Sequence, residues 1–331
     1  MRQKADLSKV KFQSELRYQF AGSPITHHDG LLLLGSCFTA NVGSALADRL
    51  FRVSHNPTGI LFDPSAIARH LHFLASGRVF SAQELFELDG LWHHWDFHSD
   101  FSALSAKEAV SQINTAIAAG QQALQHSRWL VLTLGSAFRY ERRDTGLPVA
   151  NNHRAPAAGF SKVLQTVEAM EAELQQAIGA VRALQPEMQV LLTVSPVRHH
   201  RDGLIENNRS KGRLLELVHR LCEKDTKCYY FPAYEMVTDV LRDYRWYDID
   251  LVHPNHAATQ YVFDQFCAHC MPESTRELAE KAHQWVLGER HRPRFVGSVA
   301  HQAFVKRQAA LREELEREHP ELAWSLFPSF N

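Results

Sequence analysis

Short runs of apolar residues alternate along the chain with longer segments in which apolar residues recur every three or four positions. The short runs are typical of strands buried on both faces, and the longer spacing predicts amphipathic helices. Predicted strands cover residues 31–34, 129–137, 188–194 and 228–231. Predicted helices cover residues 41–51, 105–126, 160–184, 210–223 and 233–241. Two more helices are predicted to start at Asp63-Pro64 and at His253-Pro254, and the tail from about residue 272 is also predicted to be helical. Such alternation predicts an α/β fold with a parallel sheet covered on both faces.

One stretch, residues 77–101, breaks the helical spacing and contains the sequence Trp92-His93-His94-Trp95. These rings could line a pocket for a sugar or an acyl group, but we favour a β-hairpin whose tryptophans cover the core. We expect a main domain over residues 1–271 with an aromatic, histidine-rich insertion near residues 77–104. A helical extension over residues 272–331 would pack on the core or mediate association.

Composition narrows the class of protein. The 331 residues are 45% hydrophobic and 22% charged with a net charge of −1, so no whole-protein field attracts nucleic acid or a membrane surface. Five cysteines form no regular framework, and we find neither a signal peptide nor an apolar window long enough to span a membrane. We therefore expect a cytoplasmic protein whose cysteines are reduced, and we expect Cys222 and Cys228 to lie in the core.

Candidate chemistry follows the predicted strands. Gly35, Ser36 and Cys37 form a turn between the first strand and the first helix. Unpaired N–H groups at a helix start lower a thiol pKa and stabilise an oxyanion, so Cys37 or Ser36 could be a nucleophile. The alternative is that Ser36 caps the helix and Cys37 is a small buried residue. Ser136 and the pair Arg198-His199 follow two further strands, where ligands of parallel sheets bind.

Asp250 and His253 form a second candidate group, three residues apart ahead of a proline. A carboxylate there can accept a hydrogen bond from Nδ1 of the histidine, which fixes the tautomer and leaves Nε2 free as a base. In the simpler interpretation, Asp250 caps the following helix and His253 is an exposed loop residue.

A series of motifs in order resembles the GSCFA family, which is named for its glycine-serine-cysteine-phenylalanine-alanine block. The resemblance covers residues 31–269, and it rests on Gly35-Ser36-Cys37-Phe38, Asn56-Pro57-Thr58-Gly59, Leu132-Thr133-Leu134-Gly135-Ser136, Thr193-Val194-Ser195-Pro196-Val197-Arg198-His199, Tyr230-Phe231-Pro232-Ala233-Tyr234-Glu235, Leu241-Arg242-Asp243-Tyr244-Arg245 and Asp250-Leu251-Val252-His253-Pro254. Two positions depart from the family pattern. Thr39 precedes Ala40, and Asn151-Asn152-His153 stands where the family has Asn-Cys-His, so no role for that cysteine carries over.

The GSCFA family is similar to the SGNH or GDSL hydrolases, whose fold is a flavodoxin-like three-layer α/β/α sandwich. This similarity implies esterase or acyl-transfer chemistry, often on O-acetylated carbohydrate. Cys37 then stands at the nucleophile position, Gly59 at the second-block glycine, and Asp250 and His253 at the closing acid and base. The third-block asparagine of that superfamily is absent here, because the matching motif reads Gly135-Ser136-Ala137.

We hypothesise acyl transfer through a thioester, in which His253 Nε2 takes the Cys37 proton and Asp250 orients the imidazole. Backbone N–H groups of Cys37 and Gly59 would hold the oxyanion, with Ser136 or Asn151 in place of the missing donor. His153, beside Asn151, is a further candidate for substrate binding. The substrate would be a small-molecule or carbohydrate acyl ester, and the enzyme would need no cofactor, although a transferase could use acetyl-CoA.

Other interpretations stay open at this point. Arg198 and His199 could bind an anionic substrate group or the coenzyme A phosphates, or Arg198 could pair with Glu235 or Asp243. A catalytically silent protein that binds carbohydrate or another small ligand is the main alternative function. The sequence Cys267-Ala268-His269-Cys270 could also indicate a metal enzyme. A single Cys-x-x-Cys without a second pair is a weak signal for a metal site, however, and we predict none. Neither the choice between hydrolase and transferase nor the oligomeric state follows from these patterns.

Overall fold

The computed structural model describes residues 14–326 and contains ten strands and nine α-helices over that range. The strands are β1 (Leu31–Gly35), β2 (Val53–His55), β3 (Phe86–Leu88), β4 (Leu91–His93), β5 (Trp129–Leu134), β6 (Phe138–Arg142), β7 (Pro148–Val149), β8 (Phe160–Leu164), β9 (Gln189–Val194) and β10 (Cys228–Tyr230). The helices are α1 (Cys37–Ala47), α2 (Pro64–Ser76), α3 (Ala106–His126), α4 (Val167–Leu184), α5 (Leu204–Lys224), α6 (Ala233–Glu235), α7 (His256–Cys270), α8 (Glu273–Glu289) and α9 (Val299–Glu318).

Five parallel strands form the central sheet in the order β2-β1-β5-β9-β10. This is the flavodoxin-like doubly wound order, in which the chain first winds to one side of β1 and then to the other. The predicted α/β fold with a mainly parallel sheet is therefore confirmed. Because all five strands run the same way, their carboxyl ends share one edge of the sheet, called the carboxyl edge below.

Helices cover both faces of this sheet. Leu32 and Leu34 of β1 pack into a core built with α2, α3, α4 and α5. Leu31 and Leu33 point to the opposite face and pack with α1, α6 and α7. Since side chains of a strand alternate between faces, a strand between two helical layers must be apolar at every position, which explains the continuous leucine run. The result is a three-layer α/β/α sandwich.

Capping residues begin two helices, α2 and α3, at the predicted places. Asp63 Oδ1 accepts a hydrogen bond from Ala66 N at 3.0 Å, and Pro64 occupies the first helical position of α2. Ser105 caps α3 in the same way, through a bond from Glu108 N. These caps satisfy N–H groups that have no partner inside the helix, and they confirm both predicted starts.

The segment 160–184 is not one helix, as the periodicity predicts, but a strand followed by a helix. Its first five residues form β8, which pairs antiparallel with β6 in a three-stranded sheet with β7. Helix α4 begins only at Val167, where the Thr166 side chain caps it. Phe160 and Leu164 fit both a helical and an alternating pattern, so the local sequence does not choose between them. Pairing with β6 makes this segment a strand.

Two other helices start earlier than predicted, and the aromatic insertion is a hairpin. Helix α1 begins at Cys37 rather than residue 41, and α5 begins at Leu204 rather than residue 210. Strands β3 and β4 form the predicted antiparallel hairpin, and the Trp95 ring stacks on Phe86 with 3.6 Å between centroids.

Helices α8 and α9 pack against the sandwich around the fully buried Trp285, together with Leu50 and Leu315. Arg290 at the end of α8 donates to Asp48 Oδ2 at 2.8 Å, which ties these helices to the end of α1. Over residues 14–326, no helix combines the length and the apolar character that crossing a membrane requires.

Candidate functional site

The turn that carries Cys37 is built on a glycine that no other residue can replace without strain. Gly35 has φ = +143°, and a Cβ atom there would lie 2.2 Å from the Thr133 carbonyl oxygen of the neighbouring strand β5. The chain can therefore turn sharply at the end of β1 and start α1 at once. This places Cys37 at the first helical position, on the carboxyl edge, where its side chain is partly exposed.

Ser36 occupies the cap position of α1, but its side chain does not cap the helix. The Ser36 hydroxyl is buried, and among residues 14–326 it has no hydrogen-bond partner. Its N–H donates to Thr133 O at 3.3 Å. Of the two nucleophile candidates, the accessible one is therefore Cys37. The capping role that the simpler interpretation assigns to Ser36 is not present in the structure.

The electrostatic environment of Cys37 differs from the expectation. Burial raises the pKa of the thiol, and the opposing effects of the Phe38 and Cys37 N–H groups and of the Lys211 charge only partly offset it. The N–H groups belong to the first turn of α1 and have no partner within the helix. The helix start does favour the thiolate, as predicted, but the net pKa shift is upward because desolvation is the larger effect.

Lys211 is a residue of the site that our sequence reasoning missed. It lies on α5, is fully buried, and donates from Nζ to the carbonyl oxygens of Gly135 and Ser195, both at 2.6 Å. Burial lowers its pKa to about 7, while the proximity of Cys37 acts to raise it. The available signal was its place three residues before Leu214 on the apolar stripe of α5, where a lysine is unusual.

The second part of the candidate site is a loop between a short helical turn, Tyr244–Trp246, and helix α7. Within this loop, Val252 N and His253 N donate to Asp250 Oδ1, and His253 Nδ1 lies 2.7 Å from Asp250 Oδ2. These bonds lower the pKa of the Asp250 carboxyl to about 2. Both side chains are about half exposed, and Nε2 of the imidazole is left free of hydrogen bonds among the described residues. The contact expected from the three-residue spacing is therefore present.

This loop is attached to the carboxyl edge. Arg198, which follows β9, donates its N–H to Val252 O at 3.1 Å. The segments after β1, β5 and β9 and the Asp250–His253 loop therefore surround one region of the molecule. No hydrogen bond joins Cys37 to His253 in the described part of the chain.

Two of the expected oxyanion donors already have hydrogen-bond partners in the structure. The Gly59 N–H donates to Asn56 O at 2.9 Å, and the Ser136 N–H donates to Phe62 O at 3.0 Å. Ser136 Oγ accepts from Phe138 N at 3.1 Å and contacts Ser210 Oγ at 3.4 Å. The N–H groups at the start of α1 are consequently the donors that face the sulfur.

Asn151 and His153 hold the aromatic insertion in place. Asn151 N donates to Trp95 O, and its Oδ1 accepts from His153 N at 2.8 Å. The imidazole of His153 bonds to Ser99 Oγ at 3.1 Å and to His94 O at 2.9 Å. Burial lowers its pKa to about 4, so it is neutral at physiological pH. The hydrogen bonds of Asn151 and His153 thus run to the insertion.

Neither acid proposed as a partner of Arg198 pairs with it. The Arg198 guanidinium lies over the rings of Tyr244 and Tyr247, 5.1 and 4.7 Å from their centroids. Glu235 accepts instead from the Tyr230 hydroxyl, and Asp243 pairs with Arg245.

His199 is anchored beside Arg198. Its N–H donates to Asn207 Oδ1 at 2.9 Å, and its ring meets Phe62 edge-on. Burial, with the Lys211 charge as the next cause, lowers the pKa of His199 to about 4. His199 is therefore neutral at pH 7, and Arg198 is the charged member of this pair.

The other cysteines lie apart from this site. Cys228 and Cys270 are buried and Cys267 is partly exposed, and desolvation raises the pKa of each thiol, that of Cys267 to about 12. Over residues 14–326, no cluster of three or more histidine, cysteine, aspartate or glutamate side chains is arranged to hold a metal ion.

Comparison with known protein families identifies the family of this chain. The sequence model of the GSCFA family matches residues 30–266, which include β1, the cysteine turn, Lys211 and the Asp250–His253 loop. A search of curated proteins and a search of solved structures each found no match.

Proposed function

Because the chain belongs to the GSCFA family, we propose that it is an acyl-transfer enzyme of the SGNH-like type with Cys37 as its nucleophile. The observation that carries the proposal is the partly exposed residue Cys37 at the start of α1, on the edge of the sheet that also holds the loop with the Asp250–His253 hydrogen bond. The flavodoxin-like strand order supports the SGNH-like assignment.

In the proposed reaction, His253 Nε2 takes the proton of the Cys37 thiol, and the thiolate attacks the carbonyl carbon of an acyl ester. Asp250, whose carboxylate accepts from Nδ1, stabilises the imidazolium that results. The carbonyl oxygen becomes an oxyanion, which the N–H groups at the start of α1 would hold. When the C–O bond breaks, His253 returns the proton to the leaving alkoxide, and a Cys37 thioester remains.

The second half of the reaction transfers the acyl group to an acceptor. Nε2 of His253 removes a proton from water or from a sugar hydroxyl, whose oxygen attacks the thioester and releases the Cys37 sulfur. Water as the acceptor makes the protein an esterase, and a hydroxyl makes it an O-acyltransferase. We propose acetylated carbohydrate as the ester, and acetyl-CoA as the donor if the enzyme is a transferase.

Intact-protein mass spectrometry tests this function directly. We expect the protein mixed with a chromogenic acetate ester, or with acetyl-CoA, to gain the mass of one acetyl group. The adduct should be lost in Cys37→Ala and kept in the matched neighbour variant Ser36→Ala, because Ser36 Oγ is buried. A stable wild-type protein that forms no adduct, or an adduct lost only in Ser36→Ala, would contradict the proposal.

A second measurement assigns the acceptor. Acetylated xylo-oligosaccharide is incubated with the protein, and released acetate is compared with acetate moved to an added oligosaccharide. Binding of the sugar without either product would instead favour the catalytically silent binding protein.

A further inference from the structure

We propose that Arg198 is a positioning residue that holds the Asp250–His253 loop on the carboxyl edge of the sheet. The proposal deepens the proposed function and rests on it, because that loop supplies the base of the reaction. It gives the Arg198 guanidinium a task other than binding an anionic substrate group or pairing with an acid.

Arg198 lies in a segment that is bonded to the sheet and to a helix. Before it, the chain continues from β9 along the sheet, where Ser195 N donates to Leu134 O at 2.9 Å. Directly after it, His199 N donates to Asn207 Oδ1 of α5 at 2.9 Å. These bonds fix the chain on both sides of Arg198, so the residue can serve as an anchor for a neighbouring loop.

Two different parts of Arg198 contact the loop and the segment that leads into it. The backbone N–H donates to Val252 O at 3.1 Å, between the acid and the base. The guanidinium carbon lies 5.1 Å from the centre of the Tyr244 ring and 4.7 Å from the centre of the Tyr247 ring. A cation over an aromatic face is attracted by the ring, so the side chain adds a second attachment to the backbone bond.

The loop itself makes few other bonds to its surroundings. Apart from the bond from Arg198, the hydrogen bonds of residues 248–253 to the rest of residues 14–326 stay within the loop, as from Asp248 N to His253 O at 2.8 Å. Leu251 has φ = +56°, a conformation that leucine rarely adopts unless its surroundings impose it. The internal bonds set how imidazole and carboxylate meet, whereas the contacts of Arg198 tie the pair to the carboxyl edge.

Hydrogen–deuterium exchange followed by mass spectrometry tests this attachment without any substrate. Arg198→Met keeps a long side chain and removes the charge. We expect the amides of residues 246–255 to exchange about tenfold faster in this variant, because a cation in contact with two rings favours the attached loop by about that factor. Arg198→Lys keeps a cation that can lie over the rings, and it should recover part of the protection.

Tyr244 allows the same contact to be removed from the other side. Its side chain is 55% exposed, so Tyr244→Ala should fold and speed the exchange, whereas Tyr244→Phe keeps the ring and should exchange nearly like the wild type. Because Arg198→Met and Tyr244→Ala break one shared contact, the double variant should exchange like Arg198→Met alone.

Arg245→Met is the matched control. Arg245 belongs to the same segment but pairs with Asp243, so its loss should leave the exchange of residues 246–255 unchanged. Thermal denaturation of every variant separates a general loss of stability from a local change in the loop.

Single-turnover acetylation of Cys37 shows whether the attachment acts on the reaction. Positioning of the base predicts that Arg198→Met lowers the maximal rate about tenfold and leaves the half-saturating donor concentration nearly unchanged. A guanidinium that binds an anionic group of the donor would instead raise that concentration, and Tyr244→Ala would then leave the maximal rate unchanged.

The two measurements separate this proposal from the proposed function. Wild-type exchange of residues 246–255 in a folded Arg198→Met would overturn the attachment, whatever the protein does with esters. Faster exchange with an unchanged maximal rate would overturn the positioning role and leave acyl transfer at Cys37 standing. If the wild-type protein forms no acyl adduct, the proposed function fails, and the exchange rates still decide whether Arg198 anchors the loop.

Discussion

Replacement of Gly35 by alanine tests the cysteine turn most directly. The backbone there has φ = +143°, a conformation that costs an L residue about 1–3 kcal/mol. The new Cβ would also lie 2.2 Å from Thr133 O, which cannot retreat easily because β5 lies between β1 and β9 in the sheet. Strain and overlap together predict that Gly35→Ala lowers the free energy of unfolding by at least about 3 kcal/mol.

Urea denaturation followed by circular dichroism measures this free energy. Gly90→Ala is the control, because Gly90 also has positive φ (+76°) but a Cβ there would meet no atom within 4 Å. It should lose only about 1–2 kcal/mol, the cost of the backbone conformation alone. If the loss in Gly35→Ala is no larger than that in Gly90→Ala, the close approach of β1 to Thr133 O does not constrain the turn, and our reasoning fails.

Two further predictions concern carboxylates. Burial raises the pKa of Asp63 to about 6, so ionisation destabilises the fold as pH rises from about 4 through 6. Asn is an equally good cap, so Asp63→Asn should raise the free energy of unfolding by about 3 kcal/mol at pH 7 and show little gain at pH 4, which urea titrations at the two pH values would measure. Asp250→Asn keeps an oxygen for the N–H groups of Val252 and His253 but cannot stabilise an imidazolium, so acetylation of Cys37 should slow at least about 100-fold in stopped-flow assays. An unchanged rate would remove the Asp250–His253 pair from the mechanism.

Much of the fold was predictable because it depends on local patterns. Continuous apolar runs identified the buried strands, and Asp63 and Ser105 identified two helix starts. Phe160–Leu164 shows where this reasoning stops. Its apolar spacing suits a helix, yet pairing with Phe138–Arg142 makes it a strand. A contact between segments about twenty residues apart leaves no trace in the local periodicity.

Part of the candidate site was also predictable from local patterns, and part of it was not. The spacing of Asp250 and His253 predicted a hydrogen bond that the structure contains, because both residues belong to one short loop. The sequence could not show that the Ser36 hydroxyl is buried, or that the pKa of Cys37 rises rather than falls. Both depend on how much of each side chain the neighbouring elements cover.

The sequence by itself determined the layered α/β architecture and the turn that presents Cys37, because apolar spacing and glycine geometry act over a few residues. Only the tertiary structure decided that Lys211 lies close enough to Cys37 for the two groups to interact electrostatically. Lys211 follows Cys37 by more than a hundred and seventy residues, and it comes near the cysteine turn because it binds the carbonyl groups that follow β5 and β9, which end at the same edge of the sheet as β1. Electrostatic interactions depend on distance in space and on burial, and the order of residues along the chain specifies neither.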